Sequence, residues 1–270
     1  MSSGRLDGRV AFITGAARGQ GRSHALRLAG EGADIVAVDA CTEYTTTDYV
    51  MPSPDELAET ARLVEALGRR AVTSVADVRA PEELREAARL GAERLGGIDI
   101  VVANAGICVL GSWDEVTDEV WKDTIDTNLT GAWNTMSITA PYLIEGGGGS
   151  IICTGSTCGV QGVPFFAPYV ASKHGLSGVA KTMANELARH AIRVNVVHPT
   201  GVETELTNGL SRIGELIERD PRIGVTFGNA LDVERLQPED VSDAVLFLAS
   251  DESKYMTGTD FVVDAGCTNF

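Results

Sequence analysis

"TGAARGQG", Thr14 to Gly21, decides the fold. It follows an apolar run, "RVAFIT" (9–14), that reads as a β-strand, and it leads into "RSHALRLAGEG", which reads as a helix. Gly15 permits a tight turn there, while Gly19 and Gly21 let the backbone approach a pyrophosphate and let helix and strand pack closely. The helix N-terminus then faces the negative charge. An acid, Asp39, stands 18 residues past Gly21, at the end of the next apolar run, "ADIVAVD" (33–39). A glycine-rich loop alone is a weak signal, but strand, loop, helix, strand and acid in this order define a dinucleotide site. A carboxylate at Asp39 accepts hydrogen bonds from both hydroxyls of an adenosine ribose and repels a 2′-phosphate. Arg18 could greet such a phosphate, but Ala40, Cys41 and Thr42 after Asp39 are neutral. The expected cofactor is therefore NAD rather than NADP.

Working outward, the chain keeps alternating. Further short apolar runs lie at 71–77, 98–106, 149–155, 192–199 and 260–266, and their near-continuous apolar character suits strands covered on both faces. Helical patterns fall between the strands at 20–31, 54–68, 81–95, 117–145, 168–189 and 238–250, with Pro81 and Pro238 followed by acids as start signals. Repeated β-α-β order predicts an α/β fold: a single Rossmann-type, doubly wound parallel sheet of about seven strands with helices on both faces. No composition break divides the chain, so one domain over 1–270 is expected.

The 270 residues are 44% hydrophobic and 22% charged, which is ordinary globular composition. A formal net charge of −16 argues against nucleic acid and anionic membrane as partners. No apolar run approaches the roughly 20 residues of a membrane span, and no secretory pattern opens the sequence, so a cytoplasmic protein is expected. The five cysteines, Cys41, Cys108, Cys153, Cys158 and Cys267, are odd in number and make no CxxC pair. They are read as small buried or partly buried thiols, with neither a disulfide framework nor a metal site.

Two segments break the pattern. "CTEYTTTDYVMPSP", about 41–54, lies between the second strand and the next helix, where connections of roughly 2–6 residues are usual. It starts beside the adenosine ribose and can fold over that half of the cofactor, burying Tyr44, Tyr49, Val50 and Met51, with Pro52 and Pro54 stiffening its return. About 200–236 mixes short amphipathic pieces with Gly and Pro, and reads as a flexible lid over a substrate pocket.

The chemistry begins at "YVASK", which places Tyr169 and Lys173 on one helix face. Ser156 precedes Tyr169 by 13 residues, at the carboxyl end of the fifth strand, where parallel sheets build sites. Free tyrosine is too weakly acidic to act as a base at neutral pH, so the expectation is that the Lys173 ammonium and a positive nicotinamide lower its pKa. Tyr169 can then take the hydroxyl proton of an alcohol.

These motifs resemble those of the short-chain dehydrogenase/reductase family from end to end. "TGAARGQG" is similar to its TGxxxGxG loop, "ANAG" (103–106) to its NNAG element with Ala103 in place of the first Asn, and "NLTG" (128–131) to the element carrying the Asn of its catalytic tetrad. Ser156, Tyr169 and Lys173 match the other three members, and the resemblance implies that Ser156 holds the substrate oxygen while Lys173 also binds the nicotinamide ribose. By that resemblance Asn128 holds a water that relays protons from Lys173. The cofactor set it implies is Gly15, Arg18, Gly19, Gln20 and Gly21 in the loop, with Asp39, Ala40 and Cys41 at the ribose. It continues with Asp77, beside Val78, receiving the adenine amino group, and Asn104, Ala105 and Gly106 lining the adenosine ribose. Tyr169 and Lys173 complete it, with Pro199, Thr200, Val202 and Thr204 from "HPTGVET" beside the nicotinamide. Thr200 stands where the family usually has Gly, which should make that backbone less free.

"GAARGQGRSHA", the insertion after "VD", and "ETARLVEALGRRAV" together resemble one subgroup, the mycofactocin-associated, carveol-dehydrogenase-like enzymes. That resemblance implies NAD held through turnover, mycofactocin as electron acceptor, and a homotetramer built on the helices at 117–145 and 168–189. The expected pocket walls, Ile107, Cys108, Val109, Val160, 163–166 and parts of 205–227, are mostly apolar, with only Arg212 and Arg222 as candidate anion grips. They suit a neutral, hydrophobic secondary alcohol or its ketone, terpenoid or otherwise cyclic, with a sterol as the larger option. Two other classes compete: an NAD-bound sensor without turnover, and an acyl-carrier ketoreductase. The first has no use for Tyr169 and Lys173, and the second would want NADP and a basic docking patch.

Overall fold

The computed structural model describes residues 4–219 and 221–269. Seven parallel strands form one sheet in the order β3-β2-β1-β4-β5-β6-β7. They are β1 (Val10–Thr14), β2 (Asp34–Asp39), β3 (Ala71–Val75), β4 (Ile100–Ala103), β5 (Gly149–Thr154), β6 (Ile192–Pro199) and β7 (Asp260–Val263). The order reverses between β1 and β4, because the chain steps outward one way through β2 and β3 and then returns past β1. That reversal opens a crevice at the strands' carboxyl ends.

Strand alternation divides the core in two. Val10 and Phe12 face one side, packed under α3 (Pro81–Leu95), α5 (Gly131–Glu145) and α6 (Ala167–Leu187). Ala11 and Ile13 face the other, under α1 (Gly19–Gly30), α2 (Pro54–Ala66) and α9 (Pro238–Ala249). This is the doubly wound arrangement expected from the sequence. Strand ends are shorter than the apolar runs, notably 100–103 within 98–106 and 260–263 within 260–266, because pairing stops where the chain turns to build the crevice.

The pattern at 117–145 resolves into α4 (Asp118–Ile125), a wider π turn at Asp126–Thr130, and α5. The lid segment is more ordered than expected. It holds α7 (Glu205–Asn208), α8 (Ile213–Arg219) and a 3-10 turn at Pro221–Phe227. No helix among the described residues is long and apolar enough to cross a membrane.

Candidate active site

The phosphate loop has the strain its glycines suggested. Gly15 and Gly19 take left-handed φ of 67° and 53°, and a Cβ on Gly21 would fall 1.9 Å from the Gly15 carbonyl oxygen. The N-terminus of α1 has neither a side-chain cap nor an acid in its first turn, so its amides stay available to an anion. Asp39 is buried beside it. Its Oδ2 accepts from the Ala17 amide at 3.0 Å and its Oδ1 from the Cys41 amide at 3.2 Å. Each oxygen keeps a further lone pair, which is the requirement for two ribose hydroxyls. Burial pushes the Asp39 carboxyl above its usual pKa, while the amides and Arg18 act against that.

Arg18 is committed elsewhere. Its guanidinium donates to the Val50 carbonyl and lies 3.8 Å from Glu56, so the insertion holds it. Asp77 meets Arg79 through several short bonds, the tightest at 2.7 Å, and the Arg79 guanidinium lies 4.3 Å over the Tyr44 ring. The insertion thus closes one wall. Buried Tyr44 bonds Thr127 at 3.1 Å, and Thr46 donates to Asp123 at 2.8 Å. The Tyr49 hydroxyl accepts from the Cys108 amide at 3.2 Å. A Cβ on Gly209 of the lid would fall 2.4 Å from Tyr49 Cδ1, so the insertion also touches the lid. Val50, expected to bury apolar surface, is instead 72% exposed, because its backbone rather than its side chain faces the loop.

A cavity of about 430 Å³ runs between these walls. Gly15, Arg18, Gly19, Gln20, Gly21, Asp39, Ala40, Asp77, Val78, Asn104, Ala105, Gly106 and Thr204 all line it. Cys41 does not. It turns away at φ 47° and offers its amide to Asp39, and burial pushes its thiol to about 12. The uncapped helix, the glycine cradle and the open lone pairs of Asp39 together fit a dinucleotide.

A second cavity, about 460 Å³, adjoins the first at Gln20, Asn104, Gly106, Thr204 and Leu206. Ser156, Tyr169, Lys173, Pro199, Thr200 and Val202 line it. Its apolar wall is Cys108, Val163, Phe166, Leu206, Leu210, Ile213 and Phe227. Ile107 lines the cofactor cavity instead, and Val160, 39% exposed, lines neither. Arg212 pairs with Glu115 at 3.4 Å outside the wall, while Arg235 reaches the cavity already paired with Glu203 at 3.3 Å.

Lys173 is buried, donates to the Thr154 carbonyl at 2.6 Å, and has its Nζ 5.4 Å from the Tyr169 ring centroid. Burial brings its pKa down to about 8. Burial also drives the Tyr169 hydroxyl well above its usual pKa, with Cys108 and Cys158 adding to that and Ser156 opposing it. The expected lowering by Lys173 is therefore not what these protein groups produce by themselves. Asn128 sits in the π turn and lines neither cavity. Its amide clamps both backbone groups of Ile107 at 2.8 Å and reaches the Ser172 hydroxyl at 3.3 Å. A Cβ on Gly106 would lie 3.2 Å from Asn128 Oδ1 and 3.7 Å from Lys173 Nζ, so these groups crowd one spot.

Thr200 tolerates the position where Gly was expected. Its φ is not left-handed, and its hydroxyl donates to Asn229 at 3.0 Å, tying strand end to lid. Sequence reasoning missed three supports: Thr154 under Lys173, Arg79 on Asp77, and His198 under Ser156. Of these only Arg79, two residues from an expected site acid, carried a local signal. All five cysteines are free thiols.

The fold and this paired-cavity site define a nucleotide-dependent oxidoreductase, and comparison with known proteins gives the family. The chain belongs to the short-chain dehydrogenase/reductase family: the model described as enoyl-(acyl carrier protein) reductase matches residues 15–268. It is 43% identical to a (−)-trans-carveol dehydrogenase of Rhodococcus erythropolis, covering 98% of this chain and 99% of that one. A short-chain dehydrogenase of Mycobacterium paratuberculosis, solved bound to NAD, matches with a TM-score of 0.97 at 46% identity, over 99% of this chain and 100% of that one. A carveol dehydrogenase of Mycobacterium avium, solved in complex with NAD, matches with a TM-score of 0.92 at 45% identity, again over 99% and 100%.

Proposed function

We propose that this NAD-dependent short-chain alcohol dehydrogenase/reductase interconverts a neutral, hydrophobic, cyclic secondary alcohol and its ketone, and keeps its NAD tightly held. The observation that carries the reading is the placement of Ser156, Tyr169 and Lys173 in one apolar-walled cavity that opens into the dinucleotide cavity. The carveol dehydrogenase relatives support the substrate class. A cavity of about 460 Å³ lies toward the small end of ligand pockets, which span about 300–1,000 Å³, and favours a terpenoid over a sterol. Apart from Lys173, which donates to the Thr154 carbonyl, Arg212 and Arg235 are engaged with Glu115 and Glu203, which disfavours an anionic substrate.

Bound NAD would supply the hydride acceptor. The loop residues Gly15 to Gly21 would hold its phosphates, Asp39 its ribose, and Asp77 and Val78 its adenine side. Ser156 would hold the substrate oxygen and Tyr169 would take its proton. Lys173 would set the charge beside Tyr169, acting with a positive nicotinamide against the burial that now keeps the hydroxyl protonated. The Asn128 clamp would fix the floor next to Lys173. The subgroup resemblance supports mycofactocin as the native electron acceptor.

Purification without added cofactor, then denaturation and mass spectrometry, tests the tight-NAD part. Near-stoichiometric NAD or NADH is expected, and an empty site would make the enzyme one that exchanges free NAD. Tyr169→Phe separates enzyme from sensor. Turnover of cyclic alcohols should fall by about 10²–10⁴-fold with NAD retained, and unchanged turnover would remove Tyr169 from the chemistry.

A further inference from the structure

We infer that His198 is a positioning residue that sets the place of Ser156. The proposal rests on the reading of Ser156 as the holder of the substrate oxygen. His198 lies in β6, fully buried, between the strand end that carries Ser156 and strand β7. Its Nδ1 is 2.7 Å from the Ser156 carbonyl oxygen and 3.2 Å from the Ser156 amide nitrogen, so one ring atom faces both backbone groups of that residue, accepting from the amide or donating to the carbonyl according to the tautomer. Its Nε2 is 2.9 Å from Asp260 Oδ1 and 3.4 Å from the Ser177 hydroxyl. Asp260 is gripped in turn by Lys181 of α6.

The turn is shaped to admit this ring. A Cβ on Gly155 would fall 2.5 Å from His198 Nδ1, and one on Gly159 would fall 2.9 Å from its Cε1. The two glycines flanking Ser156 in "TGSTCG" thus form a slot for the imidazole. The Gly159 amide also donates to the Ser156 carbonyl at 2.7 Å, closing the turn around the same oxygen. Lys181 and Ser177 lie on the helix that carries Tyr169 and Lys173. Asp260, held by Lys181, thus orients the ring from its Nε2 side, and the Nδ1 contact with the Ser156 peptide is the one that fixes Ser156. Side chains that hold a substrate group need such support, since a small misplacement costs turnover more than binding.

Asn and Gln separate positioning from packing, because each keeps one end of the ring's bonding. In His198→Asn the short amide can still serve the Ser156 peptide as donor or acceptor but cannot reach Asp260. In His198→Gln the longer amide reaches Asp260 and leaves the Ser156 peptide unserved. Both are compared with Ser156→Ala, using the NAD-loaded enzyme and a cyclic secondary alcohol, with NAD content and melting temperature measured alongside. Expected are a kcat within about threefold of the parent for Asn, and a loss of about tenfold or more for Gln at unchanged NAD content and nearly unchanged KM. Equal kcat in the Asn and Gln variants, with Ser156→Ala inactive, would overturn the positioning role and leave His198 as packing. An active Ser156→Ala would overturn the reading of Ser156 itself, and this proposal with it. If the Gln variant does not fold, Asn against Ala at position 198 makes the same comparison, and loss in both would overturn the proposal.

Discussion

Lys173 shows how a single residue serves chemistry against stability. Its ammonium is buried, and burial depresses its pKa from 10.5 to about 8. Between those two values the unfolded chain binds more protons than the folded one. Its contribution to stability therefore rises as pH increases from about 8 toward 10.5, and the full cost of burying the charge is present below 8. Lys173→Met removes that cost but leaves the Thr154 carbonyl without its donor. We expect the Met variant to be inactive and, at pH 7, as stable as the parent or more stable by about 1–3 kcal/mol, as read by urea unfolding. A variant less stable than the parent by that amount would show that the bond to Thr154 outweighs the desolvation. Tyr169 and Lys173 were legible because four-residue spacing puts two side chains on one helix face. His198 was not, since one histidine inside an apolar strand reads as core and its partner Asp260 lies 62 residues away.

At the scale of elements, the packing of α1 on α9 carries a pH sensitivity. His24 is fully buried there, with Nδ1 2.8 Å from the Ser242 hydroxyl, and burial lowers its pKa from 6.5 to about 3. A depressed base binds protons first in the unfolded chain, so stability falls as pH drops from 6.5 toward 3, by about 1.4 kcal/mol per unit. His24→Gln, compared with the parent in urea melts at pH 7 and pH 5, should reduce that drop, and an identical drop would place the sensitivity elsewhere. The insertion makes a second case. Tyr49 joins the insertion to the loop after β4 and to the lid, so Tyr49→Ala should speed NAD release at least tenfold in an exchange assay with labelled NAD. An unchanged rate would mean that the cavity is closed by other residues. The position of the insertion was plain from loop length, but its internal order was not. It depends on Arg79, Asp123 and Cys108, which come to it from three distant segments. The π turn was equally hidden within 117–145, because helical periodicity continues through it and its reason is the Asn128 clamp on Ile107.

For the whole molecule, the order of strands followed from alternation of apolar runs with helical patterns, and the sheet has the expected seven strands. The lid was legible only as a long irregular stretch, since short helices such as α7 and α8 lack the length for a clear period. Half-exposed Trp121 and Trp133 on α4 and α5 are consistent with the homotetramer we propose on those helices and α6. Light scattering after size exclusion should then give a mass four times 28.5 kDa, and a mass of one or two chains would refute that assembly.

Arg18 carries a lesson for redesign. Substituting Asp39 with a small neutral residue is the obvious route to an enzyme that prefers the phosphorylated dinucleotide, with Arg18 as the waiting cation. Here that cation is bonded to the Val50 carbonyl and lies beside Glu56. A single exchange at Asp39 would weaken the native preference without creating the new one. Cofactor choice in this scaffold is a property of the loop and the insertion together, and an engineer would have to rebuild both.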